Sequence, residues 1–155
     1  MQLTQFTDLG LRVLMYLTPT PRMQPVTINE IAGVFKVSRH NLVKVVHFLA
    51  QHGWLTTTRG KGGGLALSKP PEQYPLRTII CLLEGSFDLV SCTAPPCALR
   101  VGCELKMILD QATQAFLSVL DEYTLADLSK NQTENTIVRL HHSVIFEMHS
   151  AEAFD

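Results

Sequence analysis

The chain has 155 residues, 46% hydrophobic and 17% charged, with a formal net charge of −1. These values fit one globular domain, or a small domain with a dimerising extension, and exclude a disordered chain. No apolar run is long enough to cross a membrane, and Met1 to Gly10 lacks the basic-then-apolar pattern of a secretory signal, so a cytoplasmic protein is expected.

The small total conceals a division. Through Lys69, eight Lys and Arg stand against two acids, a surplus of +6; from Pro70 onward, five basic residues stand against twelve acids, a balance of −7. The first part is built to approach a polyanion, and the second is repelled by one.

In chain order, Phe6, Leu9, Val13, Leu14 and Leu17 form the apolar stripe of a first helix over Thr4–Tyr16, with Thr4 or Thr7 as its cap. A connector with three prolines, Thr18 to Pro25, leads to a second helix. Thr27 caps it, Glu30 completes a capping-box pattern, and it runs to about Phe35. After a break at Lys36-Val37, Ser38 is the expected cap of a third helix, Arg39 to Gln51, whose buried stripe is Leu42, Val45, Val46 and Leu49. Two short helices with a tight turn between them make a helix-turn-helix, its second helix destined for the major groove. Ser38, Arg39, His40, Asn41 and Lys44 are the expected DNA-binding residues, with Arg39 and Asn41 placed to read guanine and adenine edges.

Gly53 stops that helix. Trp54–Thr58 and Leu65–Ser68 read as two strands around the glycine-rich turn Arg59 to Gly64, which makes a wing. Arg59 and Lys61 at its tip are expected to neutralise phosphates or enter the minor groove. The turn contains no GxxxxGK[ST] pattern and is followed by a strand, so it is not a nucleotide phosphate loop.

Pro70-Pro71 is the expected junction between the parts. The helix Leu76 to Leu83 carries Cys81, a thiol among apolar neighbours that reads as a small hydrophobe. Glu104 to about Ser129 then reads as one long amphipathic helix with Leu105, Ile108, Leu109, Ala112, Ala115, Phe116, Val119, Leu120 and Tyr123 on one face. Its own copy is the simplest cover for that face, which predicts a two-fold dimer reading a roughly palindromic site. The tail from Lys130 has weak periodicity, and its His141, His142 and His149 read as solvated or packed rather than as ligands. The expected organisation is a DNA-binding head over 1–69, a connecting helix and loop over 70–103, a dimerisation helix over 104–129 and a tail over 130–155. The expected fold class is mainly α with a small β wing: a winged helix-turn-helix plus a long dimerisation helix.

Three of the four cysteines, Cys92, Cys97 and Cys103, fall inside twelve residues that also hold two prolines and a glycine. In a reducing compartment such a cluster binds metal or senses redox state more readily than it pairs as disulfides. The wide C-x4-C-x5-C spacing suits an iron-sulfur cluster, whose corners lie apart, better than the close pairs of structural zinc sites. Either centre needs a fourth ligand, so the count alone does not discriminate.

Together, Leu3 to Gly10, Val37 to Val46, the wing Arg59 to Leu65, the three spaced cysteines and Tyr123 to Leu128 resemble the iron-sulfur winged-helix transcription regulators. Among those, the similarity is greatest to the nitric-oxide-sensing repressors. The resemblance covers about residues 1 to 129. It implies a homodimer with a [4Fe-4S] cluster on Cys92, Cys97 and Cys103, a fourth ligand from Asp8 of the partner subunit, and release of the operator on reaction with nitric oxide. Relatives that hold a [2Fe-2S] cluster use a histidine just after the last cysteine. Here Glu104, Leu105, Lys106 and Met107 follow Cys103, and Glu104 is a competing oxygen donor. A [2Fe-2S] or zinc-containing regulator responding to redox state or iron-sulfur supply is the alternative. An enzyme is not expected, because the chain pairs no nucleophile with a base and has no phosphate-binding loop.

Overall fold

The computed structural model describes residues 2–19, 24–60, 62–93 and 95–152, the last eight of these by backbone alone. The described residues form seven α-helices and two strands: α1 Gln5–Tyr16, α2 Ile28–Phe35, α3 Arg39–Gln51, β1 Leu55–Thr57, β2 Leu65–Leu67, α4 Leu76–Glu84, α5 Glu104–Leu120, α6 Leu125–Leu128 and α7 Asn131–Glu152. The result is the expected class, mainly helical with one two-stranded antiparallel sheet.

Local chemistry places most boundaries where the sequence predicts them. The Thr4 side chain caps α1 by accepting from Thr7 N, and Thr27 caps α2 by accepting from Glu30 N. Lys36 ends α2 in the left-handed region at φ 52°, which turns the chain sharply toward α3. Ser38 holds the cap position of α3, but its side chain makes no capping hydrogen bond.

The core gathers Leu9, Val13, Leu14 and Tyr16 of α1, Ile31 of α2, Leu42, Val45, Val46 and Leu49 of α3, and Ile79, Ile80 and Leu83 of α4. Each fully buried aliphatic side chain contributes about 1.5–3 kcal/mol. Gly10 makes the α1–α4 contact possible, since a Cβ there would lie 2.6 Å from Leu83 Cδ1. The junction after the wing is pinned. Tyr74, 2% exposed, donates its hydroxyl to Trp54 O at 2.8 Å and accepts from Lys69 N at 2.9 Å.

One expectation for the second part needs correction. The helix expected over 104–129 stops at Leu120 and restarts at Leu125. Between them the backbone pairs with the segment before α4 instead: Leu76 N donates to Tyr123 O and Leu125 N to Tyr74 O, both at 2.9 Å. Thr124 and Asp127 then form a capping box that starts α6. Apolar periodicity runs across the break because Leu125 is itself buried, so the pattern hides a change of direction. The tail, despite its weak periodicity, is helical. It forms the 22-residue α7, which buries Ile137 and His141 against the head. His142 is exposed, and the side chain of His149 lies outside the described residues.

Candidate functional site

The reading head is assembled by burial of one face of α3. With Leu42, Val45, Val46 and Leu49 inward, Arg39, His40, Val43, Lys44 and His47 are left exposed. Ser38 is exposed at the helix start. Asn41 is half-buried and lies about 200° around the helix from Arg39, so the two expected base readers occupy opposite flanks. Arg39 is also held: its Nε donates to Asn29 Oδ1 of α2 at 2.7 Å.

The wing stands beside α3. Its strands pair Leu55 with Leu67, Thr56 with Ala66 and Thr57 with Leu65, and Leu65 N donates to Val26 O at 2.8 Å, docking the hairpin on the segment before α2. Gly64 serves this docking directly, and Gly63 the closing of the hairpin on itself. A Cβ at Gly63 would meet Thr58 O at 2.2 Å, and one at Gly64 would meet Pro25 Cβ at 2.6 Å. These two glycines are therefore needed inside the head and not only for approach to a duplex. Arg59 is exposed at the hairpin, and Lys61 lies outside the described residues. Asn29, Arg39, Val43, His47, Thr58 and Arg59 border a cleft of about 380 Å³ between α3 and the wing. Sequence reasoning missed Asn29, Val43 and His47. The wheel of α3 carries the signal for Val43 and His47, which lie opposite the buried stripe, whereas nothing local marks Asn29.

The second candidate region is the loop between α4 and α5. Cys92, Cys97 and Cys103 are free thiols, Cys97 exposed and the others half-buried. Cys97 N donates to Cys92 O and Arg100 N to Cys97 O, each at 3.2 Å, and Cys103 occupies the cap position of α5. Leu99 is 71% and Val101 94% exposed. Among the described residues, no three His, Cys, Asp or Glu side chains form an array able to hold a metal ion. The donor set itself fits an iron-sulfur centre, since three uncommitted thiols on one short loop are the soft ligands such iron takes. Lys106, on the first turn of α5, bonds both Asp110 oxygens at 2.8 and 3.0 Å. That hydrogen bond, with the charges of Asp110, Asp88 and Cys92 nearby, raises its pKa above 10.5 against the opposing effect of burial. Lys106 is therefore a cation beside the loop, with no lone pair to offer a metal.

Asp8, the expected fourth ligand, is half-exposed on α1 and paired with Arg12, whose Nε and Nη2 each reach a carboxylate oxygen at 3.0 Å. The start of α1 is in turn fastened to the root of the cysteine loop. Glu84, last residue of α4, accepts from Thr4 N at 3.0 Å, from Thr4 Oγ1 at 3.1 Å and from the Thr7 hydroxyl. Phe6 packs edge-on against Phe48 of α3 with centroids 5.3 Å apart. One short segment thus touches the loop root and the recognition helix. Cys81 is half-buried on α4, apart from the loop in sequence.

The Rrf2 family model, described as an iron-dependent transcriptional regulator, matches residues 3–131. The chain belongs to the Rrf2 family. Rrf2 proteins are transcriptional regulators that bind DNA, so transcription regulation is the function of this winged helix. Solved structures agree. A protein from Listeria innocua assigned as a transcriptional regulator is 28% identical over 86% of this chain and 89% of its own, with a TM-score of 0.70. CymR, the global cysteine regulator of B. subtilis, is 26% identical over 83% of this chain and 96% of its own, with a TM-score of 0.62. IscR of T. potens is 23% identical over 83% and 85%, with a TM-score of 0.66, a likeness of fold. Among the described residues, no helix of this Rrf2 protein is long and apolar enough to cross a membrane. α7 extends beyond the matched span.

Proposed function

We propose that this Rrf2 protein is a cytoplasmic homodimeric repressor that senses nitric oxide through a [4Fe-4S] cluster, as its resemblance to the repressor NsrR implies. Cys92, Cys97 and Cys103 would hold three corners, and the partner subunit's Asp8 the fourth. One observation supports the reading: three free thiols stand on the one short loop between α4 and α5, the soft donor set that an iron-sulfur centre takes.

When bound, such a cluster supplies iron that a small molecule attacks most easily at the corner with the weakest ligand. A carboxylate oxygen is a harder and weaker ligand for that iron than a thiolate. In this chain the Arg12 guanidinium already engages Asp8, and is ready to receive the carboxylate when it is released. Movement of the first turn of α1 then reaches α3 through Phe6 and Phe48. Two α3 helices reading half-sites about 34 Å apart are sensitive to such displacement. The apolar face of α5, with Leu105 60% and Ile108 61% exposed, is the surface that a second copy covers. The head binds double-stranded DNA through Ser38, Arg39, His40, Asn41 and Lys44 of the recognition-helix region and Arg59 and Lys61 of the wing.

Anaerobic native mass spectrometry of the dimer tests the cofactor, because four-iron, two-iron and zinc forms differ in mass. A colourless, sulfide-free zinc protein overturns the reading. Unchanged operator affinity after stoichiometric nitric oxide overturns the signal.

A further inference from the structure

Two side chains outside the expected reading set bear on which DNA sequence is bound. The first is Asn29, second residue of α2, whose Oδ1 accepts from Arg39 Nε at 2.7 Å. A guanidinium has five N–H donors in a planar fork. This bond occupies the Nε donor, and among the described residues neither terminal nitrogen is bonded. Those are the donors that meet O6 and N7 of guanine together. Thr27 caps α2 through Glu30 N, so Asn29 is fixed to a rigid helix end and steadies Arg39 across the helix-turn-helix turn.

The second is Val43, 37% exposed on the groove-facing surface of α3. It borders the same cleft as Arg39, His47 and Arg59. Its neighbours on that surface, Arg39, His40, Lys44 and His47, are all polar, and an apolar side chain among them has no hydrogen bond to offer DNA. The apolar feature of the major groove is the C5-methyl of thymine. Arg39 and Val43 are one helical turn apart, about 6 Å along the axis, and base pairs rise about 3.4 Å. Both contacts therefore fall within about two base pairs.

We propose that Asn29 and Val43 determine operator preference, Asn29 as a positioning residue that aims Arg39 at a guanine and Val43 by contact with a thymine methyl about two base pairs away. This rests on the reading of α3 as the recognition helix with Arg39 as a base reader. The test begins by selecting the preferred site of the full-length, anaerobically prepared protein from random DNA. Affinity is then measured for that site with single guanines replaced by 7-deazaguanine, which lacks the N7 acceptor, and single thymines by deoxyuridine, which lacks the methyl. One guanine and one nearby thymine are each expected to lose about tenfold on replacement. Val43→Ala should abolish the penalty at that thymine, and Asn29→Ala should shrink the penalty at that guanine to less than threefold. Asn29→Asp, which keeps the acceptor oxygen, should restore the guanine penalty. An undiminished thymine penalty in Val43→Ala, or a full guanine penalty in Asn29→Ala, overturns the proposal. If Arg39→Ala itself keeps every base preference, the recognition-helix reading fails; if Arg39→Ala loses the guanine preference and Asn29→Ala does not, only the present inference fails.

Discussion

The Glu84 carboxylate and the Thr7 hydroxyl, 77 residues apart in sequence, are hydrogen-bonded across the α1–α4 junction. The same carboxylate accepts from the Thr4 amide and the Thr4 hydroxyl, so it binds the capping residue of α1 and sits at the positive end of that helix. Burial acts to raise the Glu84 pKa, but the bonds from Thr7 and Thr4 outweigh it and hold the group below 4.5. The lowered value means that this contribution to stability is complete above about pH 4.5 and is lost as pH falls through the folded-state value. Glu84→Gln should destabilise the protein by about 1–2 kcal/mol at neutral pH and flatten the acid limb of its stability curve. Urea titrations from pH 3 to pH 7 measure both; an unchanged acid limb would show that Glu84 is not fastening α1.

Arg59 stands at the wing with no acid bonded to it among the described residues. Arg59→Ala should weaken binding to specific and random DNA alike and reduce the slope of log affinity against log salt by about 0.9. Fluorescence anisotropy over a salt series gives the slope directly. A loss confined to one sequence would instead make Arg59 a base reader.

The exposed apolar side chains of α5 predict a concentration-dependent dimer. Replacing Leu105 and Ile108 together by Glu places charge on that face and should give a folded monomer by sedimentation velocity. The two-half-site operator should then be bound at least tenfold more weakly. Persistence of the dimer would move the interface elsewhere.

His141 anchors α7. Its Nε2 lies 3.1 Å from Tyr16 O, and its ring meets the Tyr16 ring edge-on at 4.3 Å. The Tyr16 hydroxyl donates to Glu30 of α2 at 2.6 Å, so this contact reaches the helix-turn-helix. His141→Ala should cost about 1–3 kcal/mol, from a lost hydrogen bond and a cavity, read as a fall of several degrees in melting temperature. An unchanged melting temperature would mean that α7 adds no stability to the head.

Cys81 separates structural thiols from metal ligands. Cys81→Ala should leave iron and sulfide content unchanged, whereas Ala at Cys92, Cys97 or Cys103 should lower both in anaerobically purified protein. Loss of iron in Cys81→Ala would place a fourth thiol in the centre.

By itself, the sequence determined the elements that local chemistry governs. Threonine caps at Thr4 and Thr27, the buried stripe of α3 and the glycine-marked wing each depend on neighbours within a few residues, so periodicity and capping rules reach them. The charge reversal near Lys69 likewise marked the DNA-approaching part before any fold was known. Tertiary structure alone decided the break after Leu120, because Tyr123 and Leu125 pair with Leu76 and Tyr74 some fifty residues away. It also decided the packing of α7 through His141, the grip of Glu84 on α1 and the tether of Arg39 to Asn29. Each is a hydrogen bond between groups distant in the chain, or on separate helices, with no periodicity to announce it. The spacing of Cys92, Cys97 and Cys103 is written in the sequence, whereas the bond that ties the α4 end of their loop to Thr7 joins groups 77 residues apart and is set by the fold alone.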